Sequence, residues 1–325
     1  MIAASDKPPR LMTVLRKDYA AHDIALFDLA DASGADLPAW EPGSHVELIL
    51  SPKRGEELVR HYSLCGDVKD RHVWRIAVLR EEQGRGGSQY LYDHVLEGDR
   101  IRVRGPRNNF RFSGGRKPLF IAGGIGITPL LSMMRKAAEE RLDWQAVYLA
   151  RTESSMIFRQ ELAGLDRDRV VFHDSQKAGR FRLCDLLAKL TLEHEVYACG
   201  PQRLLDDLEA MNQAGSGWQL TLERFQNPNN RIGPDDTGTF EVVLARTGVT
   251  LIVAPGQSIL EVAREAGVDV DWSCCDGICG TCETRVLSGV PDHRDAILTA
   301  AEREAGTHMM ICVSRARSAR LVLDI

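Results

Sequence analysis

The chain has no long, unbroken apolar run. Its longest charge-free apolar stretch, Leu119–Met134, has 16 residues and contains three glycines and a proline. That is too short and too interrupted for a bilayer-spanning helix. A basic excess is also missing: 41 Lys and Arg stand against 46 Asp and Glu, a net charge of −5. The balance therefore marks neither a nucleic-acid footprint nor an anionic-membrane surface. The first ten residues have few apolar side chains before Asp6, Lys7 and two prolines, which is not a secretory signal pattern. A cytoplasmic protein is expected. Repeats and low-complexity tracts are absent, and 27% charged with 44% hydrophobic residues excludes disordered, collagenous and coiled-coil classes. At roughly 100–200 residues per domain, the length implies two or three domains.

Eight cysteines are present, and Cys274, Cys275, Cys279 and Cys282 fall within nine residues. A disulfide framework would spread pairs through a small secreted chain. Clustered thiols in a cytosolic setting point to metal instead.

Three segments have different patterns. Up to about residue 115, alternation at Val46, Leu48 and Leu50, at Trp74, Ile76 and Val78, and at Ile101 and Val103 reads as short strands. Turns are expected at Ala32–Ala35, Ser51–Gly55, Gly84–Gly87 and Gly98–Asp99, giving an antiparallel barrel or sandwich. From Lys117, strands alternate with helices. Strands are expected at Leu119–Ala122, Ala146–Ala150, Val170–His173 and Val196–Cys199. Helices are expected from Pro129 to about Arg141 with Thr128 as N-cap, near Ser155–Ala163, around Leu183–Leu190 and at Gln202–Asn212. That pattern predicts a parallel sheet covered on both faces. Residues 227–238 read as a linker. Beyond them, Phe240–Leu244 and Thr250–Val253 form a hairpin, Ser258 and Glu261 make a capping box, Gly267 closes the helix, and Leu321–Leu323 is a last strand.

Cys274-x4-Cys279-x2-Cys282, with Cys312 thirty residues later, is the plant-type 2Fe–2S spacing. Two irons and two bridging sulfides need four thiolates, and the glycines at 277 and 280 let backbone N–H groups turn toward the sulfurs. A four-ligand zinc site usually shows a second Cys-x2-Cys or a His pair, and none is present. A thioredoxin-like pair would open a helix in a βαβ unit. Cys275 is out of register and is read as a non-ligand.

Two further segments carry cofactor chemistry. In Arg60-His61-Tyr62-Ser63-Leu64, Tyr62 offers an aromatic face, Ser63 a donor and Arg60 a cation, the groups a flavin needs. Arg85-Gly86-Gly87-Ser88 offers a phosphate nest, or a plain hairpin loop. Gly123-Gly124-Ile125-Gly126-Ile127-Thr128-Pro129 joins a buried strand to a helix, where a pyrophosphate meets free N–H groups. Two of its glycines fit the dinucleotide fingerprint and the third is missing, so a plain βα turn stays open. Cys199-Gly200-Pro201 ends a later strand at the rim where such sheets bind ligands, or simply starts a helix.

Taken in order, these motifs resemble the phthalate dioxygenase reductase family, single-chain oxygenase reductases with a C-terminal plant-type ferredoxin. Ser258–Val262, Asp292-His293-Arg294-Asp295 and Cys312–Ala316 look like family signatures. The resemblance implies three domains: a Greek-key FMN barrel (1–115), an α/β NADH domain (116–226) and, after the 227–238 linker, a β-grasp ferredoxin (239–325). It implies that Arg60 and Ser88 hold the FMN phosphate, with Arg85, Gly86 and Gly87 in the phosphate loop. Tyr62 and Ser63 would border the ring, with Val78 and Thr128 near it. Phe225 would pack by the flavin, or sit in the core of the last strand. NADH would lie on Gly123, Gly124, Gly126, Cys199, Gly200 and Pro201, with Cys199 by the nicotinamide. Ser63 and Cys199 are the expected catalytic residues, and Cys274, Cys279, Cys282 and Cys312 the cluster ligands. FMN rather than FAD goes with this domain order. Glu153 would repel a 2′-phosphate and favours NADH, while Arg151 and Arg180 pull the other way.

The implied activity is hydride transfer from NADH to flavin N5, then single-electron steps to the cluster and on to a separate Rieske-type oxygenase. The chain contains no Rieske Cys-x-His pairs of its own. Alternatives are a reductase for an O-demethylase or a carnitine-type monooxygenase, or a redox sensor without turnover. A monomer docking its partner at the ferredoxin domain is expected. Residues 239–325 hold 12 acidic and 8 basic side chains, a steering charge or a plain solvated face.

Overall fold

The computed structural model describes residues 8–52, 57–115, 117–213, 217–227 and 238–325. Most of the expected linker and part of the Ser51–Gly55 turn lie outside these residues. The chain divides into two compact units, Met1–Glu223 and Arg224–Ile325. Among the described residues no helix is long and apolar enough to cross a membrane.

The first unit begins with six antiparallel strands: β1 (Arg10–Ala21), β2 (Ile24–Asp31), β3 (His45–Leu50), β4 (Leu58–Ser63), β5 (Trp74–Leu79) and β6 (Arg100–Arg107). Their order is β4-β3-β6-β1-β2-β5. A bridge between Leu64 and Ile76 joins the two edges, and β6 returns between β3 and β1 in a Greek-key path. Val46, Leu48, Leu50, Trp74, Ile76 and Val78 fill the interior, as the period-two alternation requires.

The first correction lies between β5 and β6. The expected Gly84–Gly87 turn runs into a helix, α1 (Gly87–His94), that the strand reading missed. Its C-terminal carbonyls are satisfied from outside. Lys17 on β1 donates to the carbonyls of Tyr92 and Val95, each at 2.7 Å, and of Leu91 at 3.3 Å. A cation there also suits the negative end of the helix.

A five-stranded parallel sheet follows: β7 (Lys117–Gly123), β8 (Gln145–Ala150), β9 (Val170–Asp174), β10 (His194–Cys199) and β11 (Gln219–Glu223). The order β11-β10-β7-β8-β9 puts the topological switch between β7 and β10. The intervening helices are α2 (Ile127–Glu139), α3 (Arg159–Asp166), α4 (Ser175–Ala178), α5 (Leu183–Leu187) and α6 (Gln202–Gln213). Phe120, Ala122, Tyr197 and Cys199 face the α2 and α3 core. Leu119, Ile121, Val196 and Ala198 face Leu183, Leu187, Leu205 and Leu208 on the other side. Both faces are covered, as expected.

Barrel and sheet share a core. Ile24, Cys65, Ala77 and Phe110 of the barrel segment pack with Leu130, Met133 and Met134 of α2. Arg135 on α2 reinforces the seam by donating to the Cys65 and Gly66 carbonyls while bonding Glu161 on α3.

The second unit has a mixed sheet, β13-β12-β18-β14-β16. Its strands are β12 (Phe240–Leu244), β13 (Val249–Val253), β14 (Glu283–Ser288), β16 (His308–Met310) and β18 (Arg320–Leu323), with a small pair, β15 (Pro291–Asp292) and β17 (Arg315–Ala316). Helix α7 (Ile259–Glu265) packs Ile259, Leu260, Val262 and Ala263 into its core. The Ser258–Glu261 capping box forms in both directions, at 2.8 and 3.1 Å. Helix α8 (Ala300–Ala305) is capped likewise by Thr299 and Glu302 and closed by Gly306 in the left-handed region.

Replacing Lys17 with Met should strand the last α1 carbonyls. Urea unfolding of the variant is expected to show a loss of about 1–3 kcal/mol.

Candidate functional site

Helices α1, α2, α3 and α5 of the first unit start without a side-chain cap, and glycines precede two of them. Helix α1 is preceded by Gly86 at φ 76°, and α2 by Gly126. The first N–H groups of α1 have no carbonyl partner within the helix, which makes this end a natural anion site; at α2 the Ile127 N–H already donates to the Gly124 and Ile125 carbonyls of the preceding turn. The capped helices α7 and α8 of the other unit stand in contrast.

At α1, Arg60 on β4 donates to the Val59 and Arg85 carbonyls, both at 2.7 Å, so its guanidinium lies along the phosphate loop. A Cβ on Gly87 would fall 2.4 Å from the Arg60 Nε, so only glycine lets the arginine lie this close. Ser88 Oγ accepts from the Glu81 N–H at 3.1 Å. Cation, glycines and helix start converge here, and the corner fits a flavin phosphate.

The start of α2 differs from expectation. A 3₁₀ turn, Gly124–Gly126, precedes it, and the helix begins at Ile127 rather than Pro129. Thr128 is buried inside the first turn, not at the cap. Its Oγ1 donates to the Ile125 carbonyl at 3.0 Å, a local bond that competes with capping.

The Gly123–Gly126 and Cys199–Pro201 loops meet at the switch point. A Cβ on Gly126 would lie 2.2 Å from the Cys199 carbonyl oxygen, and one on Gly123 would lie 2.5 Å from Pro201 Cδ. These glycines first serve loop-to-loop contact. Gly124, at φ 55° with open space beyond it, is the one facing outward.

Cys199 pairs in register with Glu223 at the carboxyl end of β11. Cys199 is fully buried, and burial followed by the neighbouring Glu223 holds its thiol neutral. Burial raises the Glu223 pKa to about 8, against a hydrogen bond from Ser63 that lowers it. Its Oε2 is buried without a partner. Ser63 is buried at the end of β4, with Tyr62 packed on the barrel core beside it. Residues from the barrel and two sheet strands thus meet at one point.

Val78 on β5 is fully buried in the barrel core. Phe225 lies beyond the end of β11 and is 38% exposed, so it is not a core residue of that strand.

A cleft of about 1050 Å³ opens at the carboxyl ends of β8 and β9, lined by Thr152, Glu153, Arg159, Asp174 and Lys177 among others. Asp174 accepts from the N–H groups of Glu153 and Gln176 at 3.0 Å and of Lys177 at 3.1 Å. Arg180 is engaged by Asp207.

In the second unit, Cys274, Cys279, Cys282 and Cys312 are all buried, while Cys275 is exposed at φ 51°. The four thiols form a row: Cys274 bonds to Cys279 and Cys312, and Cys312 to Cys282. Among the described residues, no three His, Cys, Asp or Glu side chains converge as ligands of a single ion. Backbone N–H groups point at the sulfurs as expected: Asp276 to Cys274 at 3.3 Å, with Ile278, Thr281 and Gly277 serving Cys274, Cys279 and Cys312.

Comparison with known proteins gives three domain matches: an oxidoreductase FAD-binding domain at residues 11–112, an oxidoreductase NAD-binding domain at 120–210, and a 2Fe-2S iron-sulfur cluster binding domain at 242–317. The chain is 38% identical to phenoxybenzoate dioxygenase subunit beta of Ectopseudomonas oleovorans, over 100% of both chains. It is 38% identical to phthalate dioxygenase reductase of Burkholderia cepacia, over 97% of both. The solved structure of a phthalate dioxygenase reductase aligns over 97% of each chain at a TM-score of 0.69. The chain belongs to the phthalate dioxygenase reductase family. A longer protein, full-length CYP116B46 from Tepidiphilus thermophilus, is 39% identical with a TM-score of 0.84, and this family member spans 42% of its length.

As a family member, the chain carries flavin, NAD and 2Fe–2S domains, an oxidoreductase set. The sequence analysis gives Glu223 no role. An acid at the very end of an otherwise Leu-Thr-Leu strand was the available signal.

Two outcomes follow. A carboxyl whose folded pKa is raised from its ordinary 4.5 to about 8 costs nothing below the lower value, and stability is lost as pH rises through the upper one. The stability of Glu223→Gln relative to wild type should therefore grow from about pH 5 to pH 8 and level off above, as read by urea melts. Iron analysis should find two irons per chain in Cys275→Ser and a loss of iron in Cys279→Ser.

Proposed function

We propose that this chain is the reductase component of a multicomponent Rieske-type aromatic oxygenase. It would carry electrons from NADH through FMN to a 2Fe–2S cluster and on to a separate oxygenase. The observation that carries the reading is the meeting of Ser63, Cys199 and Glu223 where the barrel packs on the carboxyl ends of β10 and β11. The domains are 1–115 for FMN, 116–226 for NADH and 239–325 for the cluster. A bound flavin takes two electrons with a hydride and releases them singly, which joins a two-electron donor to a one-electron acceptor.

The chain's own residues prepare that exchange. Arg60, the Gly86–Gly87 start of α1 and Ser88 bind the flavin phosphate, and the domain order favours FMN. Gly124 and the uncapped start of α2 bind the pyrophosphate. Cys199, a neutral buried thiol at the end of β10, would pack beneath the nicotinamide site and keep water out. Glu223 holds a proton on its buried carboxyl at neutral pH and shares a hydrogen bond with Ser63, which orients the hydroxyl. Glu153 and Asp174 line the cleft where the adenosine ribose would lie. As acceptors for a free ribose hydroxyl they favour NADH, with Glu153 held by Arg159 and Lys177 of the same cleft and Arg180 engaged by Asp207.

Cys274, Cys279, Cys282 and Cys312 hold the cluster. The relatives are reductase subunits of oxygenase systems, which supports a separate oxygenase partner met transiently by a monomer at the ferredoxin domain. The cytoplasm suits thiolates that must stay reduced.

The test is the visible spectrum of the purified chain before and after anaerobic NADH. Flavin and iron–sulfur bands should both bleach, with NADPH at least about tenfold slower, a difference of ~1.4 kcal/mol in the barrier. Bands that neither nucleotide bleaches would sink the reading and leave a sensor without turnover.

A further inference from the structure

The Asp292–Asp295 segment has no part in the function proposed above, yet it packs against the loop that carries the cysteines. The Ala296 N–H donates to the Gly277 carbonyl at 3.0 Å. The Arg294 N–H donates to Ser314 Oγ at 3.2 Å, two residues past Cys312. Asn227 Nδ2 donates to the Arg294 carbonyl at 2.7 Å. The approach leaves no room for a side chain: a Cβ on Gly277 would lie 3.1 Å from Asp295 Cα and 2.6 Å from a Val313 methyl. Gly277 also has φ 66°, in the left-handed region. Its carbonyl accepts from Ala296 at 3.0 Å, and its N–H lies within reach of the Cys312 sulfur.

Asp295 ties this turn together. It is fully buried, and its Oδ2 accepts from the Ile297 and Leu298 N–H groups at 3.1 and 2.8 Å. Arg303 crosses from α8 to donate to the Asp295 carbonyl at 2.6 Å and the Leu298 carbonyl at 3.0 Å. The other carboxylate oxygen is buried without a hydrogen bond, 4.0 Å from the buried His293 Nδ1, while Arg303 lies 3.6 Å from Oδ2. Stability alone does not favour leaving such groups unpaired.

We propose that Asp295 is a positioning residue for the iron–sulfur cluster. By knotting the 292–298 turn it holds Gly277 so that its N–H stays on the Cys312 sulfur, and this sets the cluster's reduction potential. Hydrogen bonds to cluster sulfurs stabilise the negative charge that reduction adds. The inference rests on the reading of Cys274, Cys279, Cys282 and Cys312 as the ligands.

The test is an EPR-monitored redox titration of the intact, cluster-loaded chain. Asp295→Asn removes the charge but keeps an oxygen for the two N–H groups, whereas Asp295→Ala removes charge and knot together. Their difference isolates the knot. The cluster in the Ala variant is expected to have about tenfold lower electron affinity than in the Asn variant, ~59 mV for a one-electron couple. Flavin content and ferricyanide reduction by NADH should match wild type in both. Equal potentials in the two variants would overturn the proposal. If the Ala variant loses its cluster, Arg303→Lys decides. It keeps the charge but cannot bridge the two carbonyls, so a severalfold fall is expected, and a wild-type potential overturns the proposal. A wild-type chain with no 2Fe–2S signal would instead overturn the ligand reading.

Discussion

The first unit depends on how closely two backbones approach at the β7/β10 switch point. Gly126 lies against the Cys199 carbonyl and Gly123 against Pro201, so a single methyl at either place would force the loops apart. That approach fixes Cys199 beside Glu223, since the two are partners in register. Glu223 in turn takes the hydrogen bond of Ser63 from the barrel. A steric constraint on glycine thus becomes an electrostatic arrangement three strands wide.

The second unit uses the same device for a different end. Gly277 is packed too tightly for any side chain, and its N–H lies within reach of a cysteine sulfur. In both units the glycine brings backbone dipoles to a place where charge must be accommodated. Capping follows the same division of labour. Helices α7 and α8 satisfy their own first turns with Ser258–Glu261 and Thr299–Glu302, whereas α1 opens on Gly86 and α2 on Gly126 with no side-chain cap.

What could be read from the sequence followed from this. The cysteine spacing, the Ser258 capping box and the alternation of strands and helices are local patterns, and each has its expected place in the structure. Helix α1 escaped notice because it opens with Gly86-Gly87 and no capping side chain, so a functional helix start has the signature of a turn. Thr128 and Pro129 mimicked a helix start because they are good capping and first-turn residues, while the 3₁₀ turn at Gly124–Gly126 moved the boundary. Val78 alternates correctly but faces the closed interior of the barrel. Glu223 could not be singled out, because its partners lie 24 and 160 positions away in the chain. Only the parallel register and the barrel–sheet seam bring them together.

The burial pattern of the thiols also makes the protein chemically addressable. Six of the eight cysteines are closed to solvent, and the two exposed ones, Cys184 and Cys275, fall in different units. A mild alkylating reagent therefore meets one site per unit, since thiol reactivity follows exposure. The wild-type chain thus comes with a natural pair of attachment points for spin or fluorescent labels. The separation of the two units can be followed during electron flow without engineering a single residue.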